Sequence, residues 1–156
     1  MAERYDIVFE DIRAALASAG DADAAMEAVV DKLKTLPNYT WVGIYLLDGN
    51  ELVLGPFRGK PSPHTRIPLG RGICGSAAAE KATIVVDDVN TDPRYLACSP
   101  DTRAEIVVPI MNASEVLGEI DVDSDRAAAF GDDDRALLEN VAHLLARRLS
   151  SRAVKR

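Results

Sequence analysis

The sequence predicts an α+β fold, with one mostly antiparallel sheet and helices from both ends of the chain on one face. Three observations carry this. The two ends of the chain show apolar residues at helical spacing. The middle holds β-branched and aromatic runs of strand length joined by short turns, which is a hairpin pattern. The strands also follow one another without a regularly alternating helix, which argues against a parallel β-α-β sheet. The chain has 156 residues, 47% of them hydrophobic, enough to bury one core. No repeat, low-complexity stretch or linker divides it, so residues 1–156 are expected to form a single domain.

Along the chain, Ile7, Ile12, Ala15 and Leu16 mark a first helix over about residues 7–19, ended by Gly20. Asp21 is a good N-cap for a second helix through Met26, Val29, Val30 and Leu33, which Pro37-Asn38 stops. Residues 39–47 are rich in β-branched and aromatic side chains, Asp48-Gly49-Asn50 turns, and residues 51–54 return. Residues 55–68 hold Pro, Gly and Lys and read as a long surface loop. An Ala-rich helix follows over residues 72–81, then a strand at 83–86 and an irregular excursion from 87 to 100. Residues 105–111 and 115–122 form a second hairpin around Asn112-Ala113-Ser114. Phe130 and three acidic residues lead into a last helix with the stripe Leu137, Leu138, Val141, Leu144, Leu145 and Leu149. Acids at its start and arginines at its end suit the helix dipole.

The formal net charge of -7 speaks against nucleic acid, which selects a basic face, and against anionic membrane surfaces. No apolar run approaches the ~20 residues of a membrane span, and the first residues lack a signal-peptide pattern. The expected location is cytoplasmic. In that compartment two thiols, Cys74 and Cys98, are more often chemical than structural.

Cys74 lies in Gly70-Arg71-Gly72-Ile73-Cys74-Gly75, at the start of a helix, where the dipole and unpaired N–H groups favour a thiolate. The same stretch has G-x-G-x-x-G spacing, but Pro68 interrupts the approach, Asp87 and Asp88 come too early and no parallel β-α-β alternation surrounds it, so a dinucleotide site is not expected. Cys98 lies in the turn-like Tyr95-Leu96-Ala97-Cys98-Ser99-Pro100. The thiols are far apart and form no C-x-x-C pair. A metal centre would need His64 and a carboxylate to complete four ligands, and no metal is expected. His143, in the last helix, reads as a surface or boundary residue.

Glu105 opens an apolar strand. Asp121 and Asp123 alternate with Val122, so they share one strand face with Glu119. Carboxylates so close repel one another, and one of them holds its proton near neutral pH. Such a strip can bind a cationic amine and donate a proton. Trp41 and Tyr45 share a face of the first strand, either as core or as the wall of a pocket.

Taken in order, the runs Trp41-Val42-Gly43-Ile44-Tyr45, Gly55-Pro56-Phe57-Arg58-Gly59-Lys60, Arg66-Ile67-Pro68-Leu69-Gly70-Arg71-Gly72-Ile73-Cys74-Gly75, Ala97-Cys98, Glu105-Ile106-Val107-Val108-Pro109 and Asp121-Val122-Asp123-Ser124 resemble the free methionine-(R)-sulfoxide reductases, a family of stand-alone GAF domains. The resemblance implies a GAF fold with a ligand pocket on the sheet face opposite the helices. It implies reduction of free L-methionine-(R)-S-oxide to L-methionine. Cys98 matches the attacking nucleophile and Cys74 a second thiol able to form a disulfide with it. Glu105, Asp121 and Asp123 match substrate-binding acids, and Trp41 and Tyr45 match pocket aromatics. It implies no resident cofactor, a thioredoxin-like or other thiol reductant as electron donor, and is compatible with a homodimer. Typical members carry a further cysteine in the loop before Arg66-Ile67-Pro68; here that loop holds none, leaving Cys74 as the internal resolving thiol. The helix-start argument favours Cys74 as the more reactive thiolate, whereas the resemblance favours Cys98. A non-catalytic GAF sensor that binds a small molecule is the competing expectation.

Overall fold

The computed structural model describes residues 2–97 and 99–154. Two helices open the chain, α1 (Ala2–Ser18) and α2 (Ala22–Leu33). Asp21 caps α2, its carboxylate accepting from the Ala24 N–H at 2.8 Å. Strands β1 (Trp41–Asp48), β2 (Glu51–Arg58) and β3 (Arg66–Pro68) follow, then α3 (Gly72–Glu80), β4 (Ile84–Val86), a 3₁₀ turn (Val89–Thr91), β5 (Ala104–Asn112), β6 (Glu115–Ser124) and α4 (Asp132–Val154). The strands make one six-stranded sheet in the order β3-β2-β1-β6-β5-β4, with every pair antiparallel. The α+β class, the hairpins and the terminal helices are as the sequence predicts.

The predicted surface loop over residues 55–68 is in part sheet. β2 runs on to Arg58, and Arg66–Pro68 adds an edge strand. The reason lies in what each residue is asked to pair with. β3 covers β2 only at Glu51–Val53, so Pro56, which lacks an N–H, faces an uncovered edge where it removes no ladder bond. Against β1, Tyr45 pairs with Leu54 but Gly43 pairs with Phe57, so β2 carries one more residue than its partner there. This β-bulge at Gly55-Pro56 turns Phe57 to the face it shares with Leu54 and Tyr45.

The two sheet faces bury different things. Helices α1, α2 and α4 cover one face with a core including Ile12, Met26, Val30, Ile44, Ile106, Ile120, Leu138 and Leu145. Its polar element is Asp134 in the first turn of α4. One oxygen accepts from the Tyr39 hydroxyl at 2.8 Å and the Tyr5 hydroxyl at 2.9 Å, and the other from the Gly131 N–H at 2.9 Å. Burial and the adjacent carboxylate push the Tyr39 hydroxyl far above its ordinary range, and Tyr5 to about 12. α3 packs against β5 and β6 on the opposite face, over a smaller apolar cluster including Trp41, Tyr45, Leu52, Ile67, Ile73, Ala77, Ile84 and Val107.

Candidate active site

The site lies on the α3 face of the sheet and is built by strand alternation. The register pairs Trp41 with Asp123, Gly43 with Asp121 and Tyr45 with Glu119, and it pairs Glu105 with Asp123 across β5 and β6. Paired residues project to the same side. The sheet therefore brings Trp41, Tyr45, Glu105, Asp121 and Asp123 together, with Glu119 beside them. Cys74 reaches the group from the first turn of α3, where its Sγ lies 3.9 Å from Glu105 Oε2. Cys98 lies outside the described residues.

These acids are not on a solvated strand end. Glu119 is fully buried, and Asp121, Asp123 and Glu105 are no more than 4% exposed. Among the described residues, both oxygens of Glu119 and one each of Asp121 and Asp123 find no hydrogen-bond partner. Leaving a buried polar atom unpaired costs about 1–3 kcal/mol, and more when it is charged. Burial accordingly raises all three acids above the ordinary carboxylate range, and the charge of Asp121 raises Glu119 and Asp123 further. For Asp121, hydrogen bonds from Glu105 and Cys74 offset part of the rise. The rise in proton affinity thus runs in the direction expected from the acidic strip, with burial as its main cause and repulsion second.

The same surroundings overturn the thiolate argument for Cys74. Its thiol is buried, and burial together with Asp121, Glu119, Glu105 and Asp123 pushes it well above its ordinary value. A helix N-terminus favours a thiolate by at most ~2 kcal/mol, which is outweighed by burial among four acids. Cys74 is a protonated thiol, and the helix-start case for its being the more reactive of the two falls.

Aromatic side chains form the outer wall. Trp41 stacks on Phe57 with ring centroids 5.8 Å apart and 18° between planes, and its indole N–H donates to the Lys60 carbonyl at 2.9 Å. The indole lies over Gly43, where a Cβ would meet it at 2.3 Å, so only glycine lets the ring lie flat on the strand. Trp41 is thus both packed and part of a pocket wall. A cavity of about 70 Å³ opens beside it, lined by Trp41, Lys60, Ser99, Asp101, Thr102 and Asp123. A smaller one of about 10 Å³ lies deeper, among Tyr45, His64, Cys74, Leu96, Glu105 and Asp121. Leu96 lines the inner cavity and Ser99 the outer one, so the chain on either side of Cys98 borders both.

Sequence reasoning gave Phe57 and Lys60 no role in the site, because residues 55–68 read as loop. His64 entered only as a metal ligand; it lines the inner cavity, half-buried. Glu119 was legible from the two-residue period, and its burial was not. His143 is exposed on α4, as expected. Cys74, Glu105 and Asp121 each present a ligand atom, all within 4.8 Å of one another. That spacing suits a small cation, and equally an ammonium group held by hydrogen bonds.

Residues 21–149 match the GAF domain family. The chain is 39% identical over 144 residues to GAF domain-containing protein A of Dictyostelium discoideum, covering 92% of this chain and 90% of that protein. It is 39% identical over 110 residues to the free methionine-R-sulfoxide reductase of Escherichia coli (strain K12), covering 70% of this chain and 66% of that protein. Among solved structures, that of free methionine-R-sulfoxide reductase from Neisseria meningitidis in complex with its substrate superposes with a TM-score of 0.93 at 38% identity, over 99% of this chain and 93% of that one. With the fold, the buried acids and these similarities in place, the chain belongs to the GAF domain family, and within it to the free methionine-(R)-sulfoxide reductases.

Proposed function

We propose that this protein reduces free L-methionine-(R)-S-oxide to L-methionine. The observation that carries the reading is the cluster of buried, partly unpartnered carboxylates beneath an aromatic wall, in a chain closely similar to a reductase solved with its substrate. Unpaired acid oxygens in a dry pocket ask for a cationic hydrogen-bond donor, and the ammonium of a free amino acid is one. Glu105, Asp121 and Asp123 hold that ammonium, and backbone N–H groups take the carboxylate. Trp41 and Tyr45 enclose the S-methyl end. Closure around both charged termini excludes peptide-bound substrate.

The Cys98 thiolate attacks the sulfoxide sulfur, and a protonated acid of the cluster gives its proton to the sulfoxide oxygen. The oxygen passes from the methionine sulfur to Cys98 and the transient S–S bond breaks, its electron pair returning to the methionine sulfur; methionine leaves and Cys98 is a sulfenic acid, two electrons more oxidised than the thiol. Cys74 gives its proton to a neighbouring carboxylate and attacks the sulfenic sulfur. Water leaves and a Cys74–Cys98 disulfide forms. A thioredoxin-like dithiol returns two electrons and two protons. The high proton affinity of the cluster serves the first step, in which acid must be present beside the sulfoxide at neutral pH. Within this scheme Cys74 is the resolving thiol, since a thiol that keeps its proton is a poor first nucleophile.

The test is incubation with free methionine-(R)-sulfoxide and dithiothreitol, with methionine measured by chromatography. Methionine should form, peptide-bound or N-acetylated sulfoxide should be spared, and Cys98→Ser should lose at least about 10³-fold in a single turnover. Binding of the sulfoxide without any methionine would leave a sensor in place of an enzyme. Methionine release by Cys98→Ser but not by Cys74→Ser would reverse the two thiols.

A further inference from the structure

We propose that His64 is a positioning residue that clamps the Cys98 segment in place for attack; this rests on the reductase reading above. The segment needs such a clamp. Regular structure stops with the 3₁₀ turn at Thr91 and resumes at Ala104, so the described residues on either side of Cys98 lie in neither helix nor strand. A nucleophile displaced by about 1 Å can lose roughly 10²-fold in rate, and sites on loops need support from outside to hold that tolerance.

His64 supplies that support from across the pocket. Its Nε2 lies 3.0 Å from the carbonyl oxygen of Ala97, the residue immediately before Cys98. A carbonyl only accepts, so Nε2 carries the proton and donates. His64 is itself fixed at both ends of its backbone: its N–H donates to Ser62 Oγ at 3.1 Å, and its carbonyl accepts from the Tyr45 hydroxyl at 2.9 Å. Tyr45 is 1% exposed and stands on β1 in the pocket floor. A continuous chain of hydrogen bonds thus runs from the rigid sheet through Tyr45 and His64 to the backbone that carries the nucleophile. The imidazole sits at the inner cavity with Cys74, Glu105 and Asp121, so the clamp is anchored beside Cys74. Three residues beyond Cys98, the exposed Lys60–Asp101 ion pair at 3.2 Å joins the same loop to the same segment. A solvated pair of this kind contributes little; Tyr95 and Leu96 pack on the apolar cluster, and His64 adds the hold on the carbonyl next to Cys98.

The glutamine amide nitrogen reaches where the imidazole Nε2 lies, and the asparagine amide falls short of it. The full-length protein is therefore compared with His64→Gln and His64→Asn in single turnover without reductant, together with sulfoxide affinity by calorimetry. Peptide-resolved iodoacetamide labelling reads the environment of Cys98 in the absence of substrate. His64→Asn should slow methionine formation at least about tenfold with sulfoxide affinity within about twofold. It should also raise Cys98 labelling about threefold or more as the segment loosens. His64→Gln should stay within about threefold of the parent on both measures. Equal behaviour of the two variants, or a sulfoxide affinity that falls as far as the rate, would overturn the clamp. If the parent protein forms no methionine, the reductase reading fails on its own, and unchanged Cys98 labelling in His64→Asn would separately refute the clamp.

Discussion

The two faces of this sheet meet the same problem, a carboxylate taken out of water, and solve it in opposite ways. On the helical face Asp134 accepts three hydrogen bonds from Tyr5, Tyr39 and Gly131, so both its oxygens are met by fixed donors and the group is structural. On the α3 face Glu119, Asp121 and Asp123 keep oxygens without partners among the described residues, and burial raises their affinity for protons. The first face is finished when the chain folds. The second is finished only when something cationic and proton-accepting arrives. Saturated polar groups mark stability, and unsaturated ones in a walled pocket mark function.

The contrast can be broken in graded steps. The largest expected effect is on the helical face, where Asp134→Ala would strand the buried Tyr39 hydroxyl and the Gly131 N–H. Stability measured by urea unfolding should fall by about 3 kcal/mol, with substrate affinity of the folded fraction unchanged. A variant that lost sulfoxide binding but kept its stability would contradict the division of labour.

Next comes the pocket face. Glu119→Gln combined with Asp121→Asn should lower kcat/KM for the free sulfoxide about 10²-fold. The melting temperature of the ligand-free protein at pH 8 should rise by about 2–4 °C. Loss of both activity and stability would make these acids structural like Asp134.

The gentlest perturbation, and the most diagnostic, is a change of pH. The folded-state proton affinities of Glu119, Asp121 and Asp123 lie above their ordinary values. Between the ordinary carboxylate pKa of about 4 and the raised ones, the folded chain binds more protons than the unfolded chain, so stability is greatest at the acidic end and declines as pH rises. The slope approaches about 1.4 kcal/mol per pH unit for each proton retained. Melting curves of the free protein from pH 5 to pH 8 should show the decline, and saturating sulfoxide should flatten it. A ligand-free protein that gained stability over that range would show that the acids are charged and paired.

Much of this plan is legible in the chain. Period-two alternation places Glu119, Asp121 and Asp123 on one face, helical spacing identifies α2 and α4, and Asp21 marks its own cap. What escapes is set by contacts between distant segments. Residues 66–68 are a strand only because β2 offers them a partner, and Gly55-Pro56 sits in a strand only because no neighbour needs the missing N–H. The helix-start argument for Cys74 counts its local dipole correctly but has no access to α3 lying over β5 and β6, which puts four acids around the thiol. The role of His64 depends on a carbonyl more than 30 residues away. Short-range patterns yield faces and caps, and burial decides what those faces are for.

The bulge in β2 has a consequence for how this pocket changes over evolutionary time. Loss of a single in-frame codon at Gly55-Pro56 would set Phe57 two places after Leu54, still opposite Gly43 and on the same face, but in a strand without its bulge. Trp41 would keep its stacking partner, while β2 would lose the bend and extra twist that the added residue gives it. A change of length here therefore alters the angle at which the aromatic wall stands and leaves its chemistry in place, where a substitution would do the reverse.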